Sequence, residues 1–377
     1  MDYMGMIDTY NHKIRGWYRL TAIKKRKCRY NMIMGQKSNG KTYAVLEEIL
    51  KEYISKGHKA FYIRRWAEDL RSKLIGDLFL KGKLPELLAK TEWDTVTYYN
   101  GSFYMAKYDE KGKLIREPEP FCYTGALNNA QHISGTRFDS ANIRIIFFDE
   151  FLTRSFYLVN EFTIFQHMIS DIVREYDIAT IYMVGNTVDW SCPYFREMNI
   201  FKAEGMKLGE IRVYDHGKGT TIAIEYADGT GLHLNSNVYF AGFDNPAMRM
   251  ITKGSWEIPC YPHLEEDYYK HITKGNIFIK FGDKTVHGDV FKYKGSYAIY
   301  FHDKTTVIRL TKNDIVLGEN LLEYYPQCEV NILAPSTKYG RMILKCFDEH
   351  RVFYQDNYIG EYVNNYLKYC KQLNIIR

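Results

Sequence analysis

Gly35-Gln36-Lys37-Ser38-Asn39-Gly40-Lys41-Thr42 is the stretch from which the rest of this chain is read. It spells G-x-x-x-x-G-K-[ST], in which glycines let backbone N–H groups turn inward around phosphate oxygens. Such a match needs its context. Before it runs Tyr30-Asn31-Met32-Ile33-Met34, a short apolar segment suited to a buried strand. After it Thr42 to Leu50 carries apolar residues at helical spacing. Strand, glycine loop and helix bring a helix N-terminus, with its partial positive charge, up to the phosphates. On this reading residues Gly35, Gln36, Lys37, Ser38, Asn39 and Gly40 wrap a nucleoside triphosphate. Lys41 reaches its β- and γ-phosphates, and the Thr42 hydroxyl ligates Mg²⁺.

Ile143-Arg144-Ile145-Ile146-Phe147-Phe148-Asp149-Glu150 is the partner signal, a mostly apolar run closing on two adjacent carboxylates. A buried strand would deliver Asp149 beside the loop as a Mg²⁺ ligand. Glu150, one residue on, is placed to polarise an attacking water as general base. The adjacent pair favours hydrolysis over phosphoryl transfer to a small acceptor. Residues 160–176 have helical periodicity through Phe162, Phe165, Ile169, Ile172 and Val173, and Arg174 lies near the end. Two roles stay open for Arg174: an arginine finger acting on a neighbouring subunit, or a cation complementing a helix C-terminus. The next strand, Ala179 to Val184, ends in Gly185-Asn186. Asn186 is either a sensor of the γ-phosphate or a residue closing a turn.

Composition narrows the class. The chain has 377 residues, is 46% hydrophobic and 25% charged, and so is long enough for two domains with a buried core. Its net charge of +6 is compatible with a polyanionic partner but is a weak signal alone. The seven cysteines are scattered without a C-x-x-C pair, which argues against a disulfide framework or a zinc site and fits a reducing compartment. No apolar run approaches the ~20 residues of a membrane span, and no signal peptide is evident. The expectation is a soluble intracellular protein.

Along the chain, Tyr10 and Trp17 are aromatics ahead of the first strand that could stack on a base, or simply cover the surface. Lys59 to Arg64 reads as a strand ending in Arg64-Arg65, and basic residues there sit on the ligand rim of an open α/β sheet, facing phosphate, a neighbouring subunit or DNA. A helix is expected from about Ala67 to Lys81. A hairpin is expected from Thr95–Tyr99 and Ser102–Tyr108 around Asn100-Gly101. From about Ile200 glycines accumulate around short alternating strands, which reads as a linking region. After Pro262 come strand-like runs Ile277–Phe281, His287–Tyr293, Tyr297–His302 and Thr306–Leu310, then a helical tail from Tyr358 to Ile375. The predicted units are a nucleotide-binding domain over 1–203, a linker or lid over 204–246 and a C-terminal domain over 247–377.

With these laid out, the chain resembles the genome-packaging ATPases of small tailed phages, relatives of the ATPase half of large terminases. The local matches are the phosphate loop, Tyr62-Ile63-Arg64-Arg65, Phe148-Asp149-Glu150-Phe151, and Gly185-Asn186 followed by Pro193-Tyr194-Phe195. They span roughly Tyr30 to Phe195. The resemblance implies an α/β phosphate-loop NTPase with a mainly parallel sheet of the additional-strand class. A strand-rich, ribonuclease-H-like domain of nuclease origin would follow it. It implies a ring of ATP-driven subunits, five in number, docked from the host cytoplasm on the capsid portal and driving double-stranded DNA inward. It also implies a trans role for Arg174, a match for Lys37 as the basic residue inside the loop, and neighbour or DNA contacts for Arg64 or Arg137. Some relatives place a structural RNA between portal and ATPase. Asp283, Asp289, Asp303 and Asp314 lie near the C-terminal strands, but no spacing establishes the convergent carboxylates that a two-metal nuclease needs. This domain is expected to grip DNA or a docking partner without cutting. The alternatives are a terminase with a working nuclease, a nucleotide-switched DNA-binding ATPase without translocation, and a nucleotide kinase, against which the Asp149-Glu150 pair argues.

Overall fold

The computed structural model describes residues 5–12, 16–36, 38–82, 84–133, 138–153, 157–158, 160–176, 178–186, 192–200, 206–227, 261–264, 273–281, 284–303, 314–318 and 328–375. The chain divides into two compact units, Met1–Glu257 and Ile258–Arg377.

Among the described residues the first unit is built on an 11-stranded sheet. Across it the order is β1 (Gly5–Asn11), β10 (Glu210–Asp215), β11 (Thr221–Ala227), β2 (Tyr30–Gly35), β9 (Thr180–Asn186), β8 (Ile143–Asp149), β3 (Lys59–Arg64), β7 (Cys122–Ala126), β5 (Ser102–Tyr108) and β4 (Thr95–Tyr99), with β6 (Leu114–Arg116) against β5. From β11 to β7 every pairing is parallel, and the strands beyond at each edge pair antiparallel. Strand β9 lies between β2, which carries the phosphate loop, and β8, which carries Asp149. That inserted strand defines the additional-strand class of phosphate-loop NTPases, as expected.

Burial on both faces explains why the central strands read as continuous apolar runs. Alternate residues feed opposite cores: Ile33, Tyr62 and Phe147 pack on one face with Val45 and Ile49 of the helix Lys41–Lys56, whereas Met32, Phe61 and Phe148 pack on the other with Phe165 and Met168 of the helix Glu161–Val173. Parity then aims Asp149, two residues beyond Phe147, toward the face from which the Lys41–Lys56 helix rises.

Two expectations are corrected here, and one element is added. The region read as a linker over 204–246 contributes β10 and β11 to the central sheet, because Ile222, Ala223 and Ile224 are buried and β11 extends the parallel ladder beside β2. Residues 67–81 form a 3₁₀ turn (Ala67–Leu70), a single α-turn (Ser72–Ile75) and another 3₁₀ turn (Leu78–Leu80) in place of one helix. Arg71 is extended between the first two, and Phe79, edge-on to Phe103 and Phe121 at 4.9 and 5.0 Å, fixes the path instead of helical periodicity. The helix Lys338–Asp348 was not anticipated at all. The hairpin is present, with φ of 45° at Asn100 and 75° at Gly101.

Among the described residues the second unit carries a six-stranded sheet in the order β16 (Cys328–Glu329), β15 (Ile315–Gly318), β12 (Thr273–Phe281), β13 (Lys284–Tyr293), β14 (Ser296–Asp303) and β17 (Val352–Tyr354). Strands β12, β13 and β14 form an antiparallel meander, and β15 and β16 add in parallel on the β12 side. This is the ribonuclease-H-like arrangement. One face packs Ile277, Val290 and Ile299 against the helices Lys338–Asp348 and Asn357–Ile375 through Ile343, Val363 and Tyr366. The run expected at Thr306–Leu310 lies outside the described residues. Among the described residues no helix is long and apolar enough to cross a membrane.

Candidate active site

The end of β2 and the start of the following helix shape the loop. Gly40 caps the helix at φ 95°, a left-handed conformation, and a Cβ there would lie 2.9 Å from Trp17 Cε3. A Cβ on Gly35 would meet the Ala227 carbonyl oxygen at 2.8 Å, so Gly35 answers to close backbone approach and Gly40 to its positive φ and the Trp17 ring. Lys41 Nζ donates to the carbonyls of Gly35 (3.1 Å) and Gln36 (2.6 Å) and to Asn39 Oδ1 (3.0 Å). Burial pushes the Lys41 ammonium down to about 7, against the pull of Asp149. Asn39 Nδ2 is buried without a hydrogen-bond partner inside the loop, a donor suited to a phosphate oxygen. Ser38 sits at φ 62°, and Lys37 lies outside the described residues.

Thr42 Oγ1 donates to Asp149 Oδ1 at 2.9 Å, so the two oxygen donors assigned to Mg²⁺ meet although 107 residues separate them. Tyr62 OH donates to the other carboxylate oxygen at 3.1 Å. Burial raises the Asp149 carboxyl above its ordinary range, and Arg64 and Thr42 oppose it. A buried carboxylate of this kind favours a cation beside it. The loop, Lys41, Thr42 and Asp149 thus fit a Mg²⁺-bound triphosphate, with Lys41 and the loop N–H groups on phosphate and Thr42 and Asp149 on the ion. Bound there, Mg²⁺ would neutralise charge on the phosphate oxygens. Lys41→Ala is expected to weaken ATP binding about 100-fold or more, since hydrogen bonds to charged groups contribute roughly 1.5–3 kcal/mol each. A fluorescent-nucleotide titration checks it, and an unchanged dissociation constant would remove Lys41 from the site.

Glu150 follows at φ 61°, and its exposed carboxylate turns to Arg64, Nη2 to Oε2 being 2.7 Å. The same guanidinium lies 3.5 Å from Asp149 and 3.2 Å from Asp69. Arg64, expected to face phosphate, a neighbouring subunit or DNA, pairs with three carboxylates of its own chain. Burial alone would lower its pKa, but Tyr62 and these carboxylates raise it overall.

Arg65 does something the sequence did not suggest. It forms a two-pronged ion pair with buried Glu161 (2.9 and 3.0 Å) and donates to the carbonyls of Glu150 (3.0 Å) and Phe151 (2.6 Å). Glu161 also accepts from Tyr194 OH and the Leu158 N–H, both at 2.8 Å. The backbone that carries Glu150 is therefore clamped. Only a general signal was available for this, an arginine at a strand end and an acidic residue in the first turn of a helix.

Asn186 ends β9 in register with Gly35, at the mouth of the loop. Arg174 is surface-exposed at the C-terminal end of the Glu161–Val173 helix, just before β9 begins. That is the opposite rim of the parallel sheet from the loop, a strand length of about 20 Å away. Arg137 lies outside the described residues. Trp17 packs on the loop at Gly40 with more than half its surface exposed, whereas Tyr10 stacks under Arg26 at 3.6 Å.

No protein-family model matches the chain, and no curated protein sequence matches it. Among solved structures it is similar to "The Phi-28 gp11 DNA packaging Motor", with 15% identity, 94% of this chain and 98% of that chain covered, and a TM-score of 0.58. It is similar also to "The bacteriophage Phi-29 viral genome packaging motor assembly", with 16% identity, 92% and 97% coverage, and a TM-score of 0.56. At these identities the likeness is one of fold, and it extends over both units of the chain.

Proposed function

We propose that this chain is the ATPase subunit of a phage genome-packaging motor, a homo-oligomeric ring that hydrolyses MgATP and drives double-stranded DNA through a capsid portal. The observation that carries the reading is Thr42 donating to Asp149 beside the loop that holds Lys41, with Glu150 the next residue along, at one rim of an additional-strand sheet. The end-to-end likeness in fold to two packaging-motor structures supports it. In this reading Glu150 is the general base, Asn186 senses the γ-phosphate, and Trp17 is the aromatic positioned for the base. The ring has five members, works in the host cytoplasm at the portal vertex, and accepts a structural RNA only if its portal carries one. The C-terminal unit grips DNA or a partner without cutting.

Steady-state ATP hydrolysis with and without double-stranded DNA, across a range of protein concentration, tests the motor reading. Stimulation by DNA together with a steep rise in specific activity with concentration is expected. Flat, DNA-insensitive hydrolysis would favour a nucleotide switch, and transfer of phosphate to a nucleoside acceptor a kinase.

Arg174 acts in trans in this proposal, since its rim of the sheet is remote from its own loop. Arg174→Ala subunits are expected to be inactive alone and to regain part of the activity when mixed with Glu150→Gln subunits. Mixed interfaces of one orientation, in which the Arg174→Ala subunit supplies Glu150 and the Glu150→Gln subunit supplies Arg174, restore a complete site. Absence of any rescue, with both variants shown to co-assemble, would assign Arg174 a structural role.

A further inference from the structure

The ribonuclease-H-like unit carries a cluster that the packaging reading does not use. On the sheet face opposite Ile277, Val290 and Ile299, the side chains of His287, Asp289 and His302 converge. Register explains the meeting: His287 pairs with His302 across β13 and β14, and Asp289 is two residues along β13 on the same face. His302 Nε2 lies 3.0 Å from Asp289 Oδ2, and His287 Nε2 lies 3.4 Å from Asp289 Oδ1. One ligand atom from each residue falls within 4.8 Å of the others. Around a tetrahedral ion with bonds of about 2.0–2.1 Å, ligand atoms are ~3.3 Å apart, so little movement separates this arrangement from a coordination shell.

The surroundings hold that geometry. Phe278 stacks on His287 with ring centroids 4.9 Å apart and planes 6° from parallel, and Tyr300 stacks on His302 at 5.8 Å. Asn276 Oδ1 lies 2.8 Å from His287 Nε2 and supplies a fourth donor. Buried Asp314 orients that amide by accepting from both the Asn276 backbone N–H (2.8 Å) and Nδ2 (2.7 Å). Asp289 and Asp314, considered from sequence as nuclease carboxylates, are thus joined to histidine and asparagine.

We propose that His287, Asp289 and His302, with Asn276 as fourth donor, bind a first-row transition-metal cation of the Zn²⁺ or Co²⁺ type that ties β12, β13 and β14 together. Two imidazoles and one carboxylate select such ions over Mg²⁺, which needs an all-oxygen octahedral shell. A single carboxylate on a strand face would be satisfied by one histidine. Two imidazoles presenting the same nitrogen to it, each fixed by a stacked aromatic, make a preformed ligand set. The inference stands apart from the nucleotide site, whose ligands for a divalent ion are oxygens.

Co²⁺ titration of the full chain, first stripped with a chelator, tests the site through visible d–d absorption. One equivalent giving the intense spectrum of a four-coordinate ion, bleached by Zn²⁺, is expected; Co²⁺ at Thr42 and Asp149 would give only the weak octahedral band. His302→Asn, at a partly exposed position, is expected to abolish the intense spectrum while leaving MgATP hydrolysis intact. Asp314→Asn, which releases Asn276, is expected to weaken Co²⁺ binding about 10–100-fold. Should His302→Asn fail to fold, Asp289→Asn serves in its place. No intense spectrum in the wild-type chain, or one that persists undiminished in the folded ligand variant, overturns the proposal.

Discussion

Replacing Glu150 by Gln is expected to leave ATP binding within a few-fold of wild type and to lower turnover about 10²–10⁴-fold, the usual contribution of a positioned general base. The two halves of this expectation come from different atoms. In this proposal binding rests on Lys41, Thr42, Asp149 and the loop, whereas the hydrogen bond of the Glu150 carboxylate is to Arg64 at 2.7 Å. Gln keeps the shape and a hydrogen-bond acceptor for Arg64 but cannot take a proton from water. Arg64→Ala separates the roles further. If Arg64 turns Glu150 away from the reacting atoms, its removal raises basal turnover, whereas if Arg64 aims Glu150, turnover falls toward that of Glu150→Gln. Single-turnover hydrolysis and nucleotide titration on the three proteins decide the matter. Unchanged turnover in Glu150→Gln would take the base role away from this residue.

What was legible beforehand follows from how local each signal is. The phosphate loop is contiguous, and its flanking strand and helix announce themselves by apolar runs, so Gly35 to Thr42 were readable outright. Asp149 and Glu150 were readable because a strand buried on both faces has to end where its charges begin. The insertion of β9 between β2 and β8 is a fact of strand order and came only through the family resemblance. Beyond that, the site is made by pairings no periodicity encodes. Tyr62 reaches Asp149, Arg64 reaches Glu150, and Arg65 reaches Glu161 across separations of 86 to 96 residues. The place of β10 and β11 in the central sheet was missed because their glycine-flanked, short alternating pattern is that of a linker as much as of an edge. His287 and His302 drew no attention because cross-strand register, which brings them together, is invisible in a sequence read alone.

The Arg65–Glu161 clamp carries the other large effect. Both side chains are almost wholly buried, and Glu161 is in addition the acceptor for Tyr194 OH and the Leu158 N–H. Removing one member of a buried pair leaves an uncompensated charge, and Arg65→Met is expected to destabilise the chain by roughly 3–5 kcal/mol in denaturant unfolding. A simple ion pair could be exchanged for two apolar residues at little net change. Here the double variant Arg65→Met/Glu161→Met is expected to recover only part of the loss. Four polar groups, the carbonyls of Glu150 and Phe151, the Leu158 N–H and Tyr194 OH, would still lack their partners. Turnover distinguishes a clamp from mere packing. Glu150 sits at φ 61°, a backbone conformation that a glutamate does not prefer, and Arg65 holds the carbonyls of this residue and the next. Under conditions where the double variant is folded and binds ATP, its turnover should therefore remain depressed. Full recovery of both stability and turnover in the double variant would show that the ion pair serves only itself and that Glu150 is positioned by other contacts.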